Sequence, residues 1–288
     1  MIRLSYQYVE LTELHTEGVE ALEPPDETDG GGQRNPVVEE GRLYGQNFAE
    51  IRAACLEAGE LWTDPEFPPE ASSLFFSREG RQAGARLEWR RPGQLVEEPR
   101  LMEDGGDRFD IIQGELGDCW LLAAMADLAM EERLWARVVP LDQSFGPDYA
   151  GVFHFRFWQY GDWVDVVVDD LLPTRNGRLV YIHSNSKTEF WSALFEKAYA
   201  KLNGSYENLV GGLACEAMVD FTGGCAEIFN LTEPPRDLFQ IMLSAHQRSS
   251  LMGCSIEEKD NRPDPSPDVT EEGLVRAHAY SITKVKHF

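Results

Sequence analysis

The sequence predicts an α+β fold, with a largely helical first half that extends to about Gly212 and a β-rich second half after it. Two observations support this class. Apolar residues recur at helical spacing over residues 45–60, 119–130 and 189–202. In contrast, residues 152–158 and 163–168 are rich in β-branched and aromatic side chains, which favour strands.

The chain begins with a segment that is unsuited to a folded core. Residues 1–44 are predicted to be an acidic flexible tail, because the stretch 24–32 combines prolines, acidic residues and glycines and cannot bury apolar surface. Folded sequence is expected to begin with a helix within residues 45–60. A proline-rich connection over residues 64–69 follows it.

A glycine-containing turn precedes the most informative helix. Gly114 and Gly117 interrupt regular structure, and residues 119–130 then predict an apolar helix with Gly117 or Asp118 near its N-cap. The two predicted strands come next, joined by a hairpin-like link over residues 159–162.

The later elements are a helix, a loop and a final strand. Residues 189–202 predict a strongly amphipathic helix, which ends at Asn203 and Gly204. Beyond Gly224 the composition indicates strands and loops, including an acidic, proline-containing loop over residues 257–272. Residues 277–283 alternate in a way that predicts a strand.

The charge balance excludes some classes of partner. Fifty acidic residues against 26 basic ones give a formal net charge of −24. A nucleic-acid-binding protein needs a basic surface, so nucleic acid is not an expected partner. Multivalent cations, above all calcium, suit such a balance, although solubility alone also accounts for excess charge.

Cysteine usage and hydropathy point to an intracellular, non-membrane protein. The five cysteines show no CxxC pairing, which favours free thiols in a reducing cytoplasm over disulfides or a zinc site. No apolar run is long enough to span a bilayer, and the first residues lack the apolar core of a signal peptide.

Cys119 is the best candidate for a reactive group. It lies at the predicted start of a helix, where backbone amides and the helix dipole favour a thiolate. His278, on the last predicted strand, could act as its base, and the amide of Gln113 could stabilise an oxyanion. The residues alone leave the alternative open that Cys119 is a buried core residue and His278 a structural histidine.

Five long motifs then identify a family. The segments QGELGDCWLLAA, WVDVVVDDLLP, EFWSALFEKAYAKLNGSYE, VDFTGG and HAYSIT occur in this order. Together they closely resemble the protease core of calpains, the calcium-dependent intracellular cysteine proteases. The resemblance extends from about Gly45 to Phe288 and implies a papain-like α+β fold. It implies that residues 45–212 form the first subdomain of the core and residues 213–288 part of the second.

The resemblance implies roles for individual residues in the cleft. It implies that Cys119 is the nucleophile, His278 the general base and acid, and Gln113 the oxyanion donor. The backbones of Gly212 and Ala277 would bind substrate as an extended strand. Ala277 stands where calpains commonly have glycine, and its methyl group is expected to be tolerated at the cleft, at the risk of crowding the substrate.

The resemblance also implies a calcium site in the first subdomain. Its ligands would be the carboxylates of Asp110 and Glu189 with the backbone carbonyls of Glu103 and Gly105, a set of hard oxygen donors that suits calcium. The residues alone would favour simpler interpretations, in which Glu189 stabilises a helix N-terminus and Asp110 is a solvated loop charge. Arg108 matches a position at which calpains have an arginine that links the two halves upon activation.

The sequence departs from the family in its second half. It contains no match to the downstream asparagine that orients the histidine, or to the NPWG block around it, and it has no EF-hand pattern. Cys119 and His278 are therefore expected to form a pair without a third residue, a loss that leaves reduced activity in triad enzymes.

Three functional hypotheses follow. The first is a cytoplasmic calcium-dependent endopeptidase that makes limited cleavages in protein substrates, with a regulatory subunit or an inhibitor protein as a further partner. The second is a truncated, catalytically impaired form that binds calcium or competes with longer relatives. The third is an incomplete gene model of a calpain.

Overall fold

The computed structural model describes the backbone of residues 2–8 and, with side chains, residues 36–77, 87–103, 105–256 and 269–287. These residues form a mixed α+β fold, as the sequence predicts. Its α-helices are α1 (Phe48–Ala58), α2 (Ala71–Leu74), α3 (Pro92–Leu95), α4 (Cys119–Ala129), α5 (Glu132–Val138), α6 (Trp191–Leu202), α7 (Ala214–Thr222) and α8 (Leu238–Gln247).

Its strands are β1 (Ile2–Tyr8), β2 (Val38–Glu39), β3 (Arg42–Leu43), β4 (Glu88–Arg90), β5 (Val152–Gln159), β6 (Asp162–Asp169), β7 (Leu172–Arg175), β8 (Arg178–Leu179), β9 (Cys225–Asn230), β10 (Met252–Ile256) and β11 (His278–Ser281). They form three sheets with the orders β2-β3-β6-β5, β4-β7-β8 and β11-β10-β1-β9. Short 3₁₀ turns at Arg108–Asp110 and Glu207–Leu209 complete the regular structure of the described residues.

The hairpin of β5 and β6 confirms the two central strand predictions. The strands pair antiparallel from Val152 with Asp169 to Gln159 with Asp162. Tyr160 and Gly161 form the link with φ angles of 52° and 94°, the left-handed conformation that two-residue hairpin turns favour. Apart from the partly buried Trp158 and Trp163, the apolar residues of both strands are almost fully buried, so this hairpin forms one wall of the core.

Helix α6 differs from the amphipathic helix that the sequence predicts. Every residue of α6 is buried, including Lys197 and Lys201, whose side chains are completely inaccessible. Lys197 pairs with Asp169, and the ammonium of Lys201 lies 2.6 Å from a carboxylate oxygen of Asp64. The polar stripe of α6 therefore faces buried carboxylates instead of solvent, a possibility that spacing alone does not reveal.

Helices α1 and α4 confirm their predictions. Asn47 caps α1 by accepting hydrogen bonds from the amides of Ala49 and Glu50, and Gly59 ends the helix in the left-handed conformation. Helix α4 starts at Cys119, with Asp118 at the N-cap position. The side chain of Asp118 makes no capping hydrogen bond.

The prediction that residues 1–44 form a flexible tail was too broad. Strand β1 lies in the middle of the third sheet and pairs antiparallel with both β10 and β9. Strands β2 and β3 join the sheet that contains the hairpin. Residues 9–35, which include the proline- and glycine-containing stretch, lie outside the described residues.

The division into a helical and a β-rich half was also too simple. The first half contains strands β2 to β8, and the second contains helices α7 and α8 as well as strands. Helix α8 lies in a region for which only strands and loops were predicted. Its Ala245 forms an apolar cluster with Met252 of β10 and Val285, and Met242 and Leu243 pack against this cluster, so burial against the sheet stabilises the helix. Most of the 257–272 loop lies outside the described residues.

Candidate active site

A single open cleft brings together the three residues predicted to carry the chemistry. Gln113, Cys119 and His278 all line a cavity of about 310 Å³ between α4 and β11. The rest of its wall consists of Ile111, three apolar residues of α4 (Leu122, Ala123 and Ala126) and the next three residues of β11 (residues 279–281). Residues separated by 165 positions in the chain thus share one solvent-open site.

Cys119 is held at this site by the first turn of α4. It is the first residue of the helix and is partly exposed. The neighbouring Trp120 is buried, and its indole nitrogen donates a 2.8 Å hydrogen bond to the carbonyl of Leu209. Because Trp120 points into the core, Cys119 is left at the cleft surface, where the helix dipole favours an anionic group.

Gln113 lies on a segment that is fixed against residues 180–183. Ile112 and His183 exchange two backbone hydrogen bonds of 2.9 and 3.1 Å. Gly114 follows, and a Cβ atom there would lie 2.3 Å from the carbonyl oxygen of Val180, so only glycine permits this approach. The Gln113 amide nitrogen donates one hydrogen bond, of 2.9 Å, to the carbonyl of Leu116.

His278 is positioned by strand pairing and by a neighbouring ring. It pairs with Ile256 of β10, and its ring meets that of Tyr280 edge-on at 5.0 Å. The Tyr280 hydroxyl accepts a 2.7 Å hydrogen bond from the amide of Val275. Within the described part of the chain the imidazole has no hydrogen-bond partner. The sequence does not single out Tyr280 as a residue that positions His278. The available signal is its spacing, because residues two apart in a strand have side chains on the same face.

The two residues predicted to bind substrate backbone do not line this cleft, but each lies close to one of its residues: Gly212 is against Trp120, which follows Cys119, and Ala277 directly precedes His278. Gly212 is exposed, and a Cβ atom on it would lie 2.4 Å from the Trp120 indole, so a side chain there would displace the residue next to Cys119. Ala277 is exposed and has a φ of 52°, in the left-handed region that favours glycine.

Three of the four predicted calcium ligands lie near one another at a second place, where Glu103 and Asp110 both act on Glu189. Glu189 is only 2% exposed, and it lies two residues before α6, not within the predicted helix. Its carboxylate accepts hydrogen bonds of 2.8 Å from the Glu103 amide and 2.6 Å from the Ser184 hydroxyl. Burial and then the nearby negative charge of Asp110 raise the pKa of Glu189 to about 7. Two neighbouring carboxyl groups, each of which makes ionisation of the other less favourable, suit a divalent cation.

The remaining ligands of this set are backbone groups. Glu103 contributes its amide to Glu189, while its own side chain accepts a hydrogen bond from Thr188. Gly105 adopts a φ of 94°. The described residues contain no cluster of three or more His, Cys, Asp or Glu side chains suited to a metal.

Arg108 lies on the 3₁₀ turn that ends at Asp110. It is exposed, its guanidinium stacks 4.8 Å from the centre of the Phe109 ring, and it contacts the sulfur of Met130 at 3.8 Å. No carboxylate among the described residues forms a salt bridge with Arg108.

Comparison with known proteins identifies the family. Residues 62–288 match the profile described as "Calpain family cysteine protease". Calpain-A of Drosophila melanogaster is 56% identical over 244 residues, which cover 83% of this chain and 28% of the fly protein. Calpain clp-1 of Caenorhabditis elegans is 56% identical over 242 residues, 83% of this chain and 30% of the worm protein. Human Calpain-9 is 50% identical over 258 residues, 88% of this chain and 37% of the human protein.

These matches place the chain among the cysteine peptidases. Within that class, the chain belongs to the calpain family, because the family profile covers most of its length. It spans between 28% and 37% of the length of the three relatives described above. No helix in the described residues is long and apolar enough to cross a membrane.

Proposed function

We propose that this chain contributes the catalytic cysteine and histidine of a calcium-dependent cysteine endopeptidase that makes limited cleavages in proteins. The observation that carries the proposal is the shared cleft of Gln113, Cys119 and His278. A peptide bond bound in this cleft would lie beside a nucleophile, a base and a hydrogen-bond donor.

The chemistry follows from the roles of these groups. His278 accepts the thiol proton of Cys119, and the sulfur attacks the peptide carbonyl carbon. The developing oxyanion is stabilised by the Cys119 amide and by Gln113, whose side chain has a second N–H beside the one bonded to Leu116. His278 then donates its proton to the leaving amine, and water hydrolyses the acyl-enzyme.

Substrate binding would rely on backbone groups. Gly212 and Ala277 are both exposed, Gly212 against Trp120 and Ala277 directly before His278. An extended peptide can form main-chain hydrogen bonds there, a mode that selects conformation more than side-chain identity. This arrangement suits cleavage at flexible, extended segments of protein substrates.

The calcium part of the proposal depends on Asp110 and Glu189. Their carboxylates, with the carbonyls of Glu103 and Gly105, would hold the ion, which would neutralise two adjacent negative charges. The raised pKa of Glu189, caused first by burial and then by the negative charge of Asp110, supports the choice of a cation at this place. We further assign a switch role to Arg108, whose guanidinium is exposed next to Asp110.

The same proposal covers domains, partners and location. Residues 45–212 would form the first subdomain of the protease core, and residues 213–288 part of the second. Protein substrates, and a regulatory subunit or inhibitor protein, would be the partners. The five free thiols support a reducing compartment such as the cytoplasm.

The decisive experiment compares cleavage of a fluorescent casein with calcium and with EGTA. Two proteins are tested, the 288-residue chain and the same chain extended by the part of the protease core that follows in Calpain-A. We expect calcium-dependent cleavage by the extended protein. Equal cleavage by its Cys119→Ser variant would refute the proposal.

The calcium site has its own test. Calorimetry of the Asp110→Ala/Glu189→Ala double variant should show calcium binding weakened at least about tenfold. Asp162→Ala, a change at the exposed first residue of β6, is the matched control and should bind as the parent does. Unchanged binding by the double variant would show that the ion binds elsewhere.

A second candidate function is favoured by one observation. The His278 imidazole has no hydrogen-bond partner among the described residues, so nothing there fixes its tautomer. The 288-residue chain would then act as a calcium-binding or competing form with little turnover. Robust cleavage by this chain in the casein assay would reject that alternative.

A further inference from the structure

Two buried carboxyl groups lie directly behind the candidate nucleophile. Asp118, the residue before Cys119, is completely inaccessible, and Glu196 of α6 is 1% exposed. An aspartate at an N-cap normally accepts hydrogen bonds from the first helical amides. The Asp118 side chain makes no such bond and instead neighbours Glu196.

Three of the four oxygens of this carboxyl pair lack a hydrogen-bond donor among the described residues, so the pair needs a proton. One Glu196 oxygen accepts a 2.9 Å hydrogen bond from the Ile182 amide. Its other oxygen, and both carboxylate oxygens of Asp118, have no donor. Two ionised carboxylates can only accept, whereas one protonated carboxyl supplies an O–H that bonds to its partner. A single proton therefore converts a repulsive contact into a charge-assisted hydrogen bond.

In the part of the chain that the structure describes, no cation acts on either member of the pair. Burial raises the pKa of Asp118 to about 6, and burial together with the charge of Asp118 raises the pKa of Glu196 well above its usual range. The phenols of Tyr181 and Tyr206 also face the pair, and burial followed by the charge of Glu196 raises the pKa of both phenols.

The charged groups further out are already engaged. Arg175, beyond Tyr181, donates to both oxygens of Glu115 at 2.6 and 2.7 Å. Asp169, which acts on Tyr206, is paired with Lys197. Ionisation of both members of the carboxyl pair would thus create two buried charges with no counter-ion at hydrogen-bond distance among the described residues.

We propose that Asp118 and Glu196 share one proton at neutral pH, and that this hydrogen-bonded pair positions Cys119 by tying the first turn of α4 to α6. Helix α6 is a firm support, because it is buried along its whole length and both of its lysines are paired with buried carboxylates. The catalytic relevance of positioning Cys119 rests on the function proposed above, whereas the sharing of a proton between Asp118 and Glu196 is independent of that function. Asp118 and Glu196 are positioning residues, since neither lines the cleft.

The first test measures the position of Cys119 without requiring turnover. Iodoacetamide alkylation, in which the sulfur displaces iodide, is followed by peptide mass spectrometry with the exposed Cys225 as internal reference. Asp118→Ala leaves Glu196 without its partner and should slow Cys119 alkylation about tenfold relative to Cys225. Asp118→Asn keeps an N–H donor to Glu196 and should stay within about twofold of the parent. Equal slowing by both substitutions would overturn the positioning role.

The second test counts the proton and uses variants that retain volume and hydrogen bonding. The folded pair holds a proton that free carboxylates release at neutral pH, so the unfolding equilibrium constant should rise with pH by a factor of about ten per pH unit for that proton. The measurement is made between roughly pH 6.5 and 8, above the pKa values that both carboxyl groups have in the unfolded chain. In this range the unfolding equilibrium constant of the Asp118→Asn/Glu196→Gln variant should rise less steeply with pH than that of the parent, because the variant has no shared proton to release. An unchanged slope would overturn the shared proton, whether or not the protein cleaves casein.

Discussion

Ala277 illustrates how one residue can carry a measurable strain. Its φ of 52° places a side chain in the left-handed region, and its amide is fixed by a 2.8 Å hydrogen bond to the Ile256 carbonyl. This conformation costs a non-glycine residue about 1–2 kcal/mol. The following residue is His278, so the strain lies next to the candidate base.

We therefore expect Ala277→Gly to raise the free energy of unfolding by about 1 kcal/mol. Ala279→Gly is the matched control, because Ala279 lies in strand β11, where glycine should destabilise by about 0.5–1 kcal/mol. Urea denaturation measures both. A loss of stability in Ala277→Gly would show that the left-handed conformation is not strained.

Asp220 provides a second residue-scale prediction, on pH dependence. Burial raises its pKa to about 6, and its carboxylate accepts a 2.8 Å hydrogen bond from the Tyr199 hydroxyl. The folded protein then binds this proton more tightly than the unfolded chain. Stability from this group is present below the unfolded pKa of about 4 and is lost as pH rises through about 6.

Asp220→Asn should consequently reduce the fall in stability between about pH 4 and 6, and it should stabilise the protein by about 1–3 kcal/mol at pH 7. Asp148→Asn, at an exposed position, should leave the pH profile unchanged. Thermal denaturation across this pH range provides the measurement. A profile for Asp220→Asn that matches the parent would contradict the prediction.

At the scale of elements, α6 depends on buried ion pairs. The Lys201 ammonium donates to Gln46, to Asp64 and to the Val167 carbonyl, and Asp64 is completely inaccessible. Burial lowers the pKa of Lys201, while Asp64 counteracts this effect. The pair thereby links α6 to the connection after α1 and to β6.

Lys201→Met should destabilise the protein by about 3–5 kcal/mol, because it leaves Asp64 as a buried charge without its partner. Adding Asp64→Asn to Lys201→Met should recover part of this loss, so a double-mutant cycle should give a coupling of several kcal/mol. Lys187→Met, at an exposed site, should change stability by less than about 0.5 kcal/mol. Additive effects of the two buried changes would argue against the pair.

At the scale of the whole molecule, the sheet that carries His278 joins distant parts of the chain. Strand β1 lies between β9 and β10, and β10 in turn pairs with β11. Among the described strands, β9 has β1 as its partner. The amino-terminal strand thus supports the sheet on which the candidate base lies.

Proline at Ser5 should release β9. Ser5 pairs with Gly253 on one side and Ile228 on the other, and proline removes a ladder donor in the middle of a sheet. We expect faster hydrogen exchange of the β9 amides, while the β5–β6 hairpin keeps its protection as an internal control. Unchanged exchange in β9 would show that β1 does not stabilise it.

The sequence by itself determined the elements with strong local signals and the members of the cleft. Glycine placement and apolar spacing predicted α4 with Cys119 at its start, and β-branched runs predicted β5 and β6, since these patterns depend on near neighbours. The motifs also indicated the family. Gln113 and His278 were found because their residue types suit the chemistry of a cysteine nucleophile.

Only the tertiary structure decided which partners these residues meet. The complete burial of α6, the insertion of β1 and the packing of α8 depend on contacts between distant segments, which local spacing does not encode. The same is true of Asp118 and Glu196. Each reads as an ordinary helix acid in the sequence, and only their burial against each other, away from water and cations, requires a shared proton.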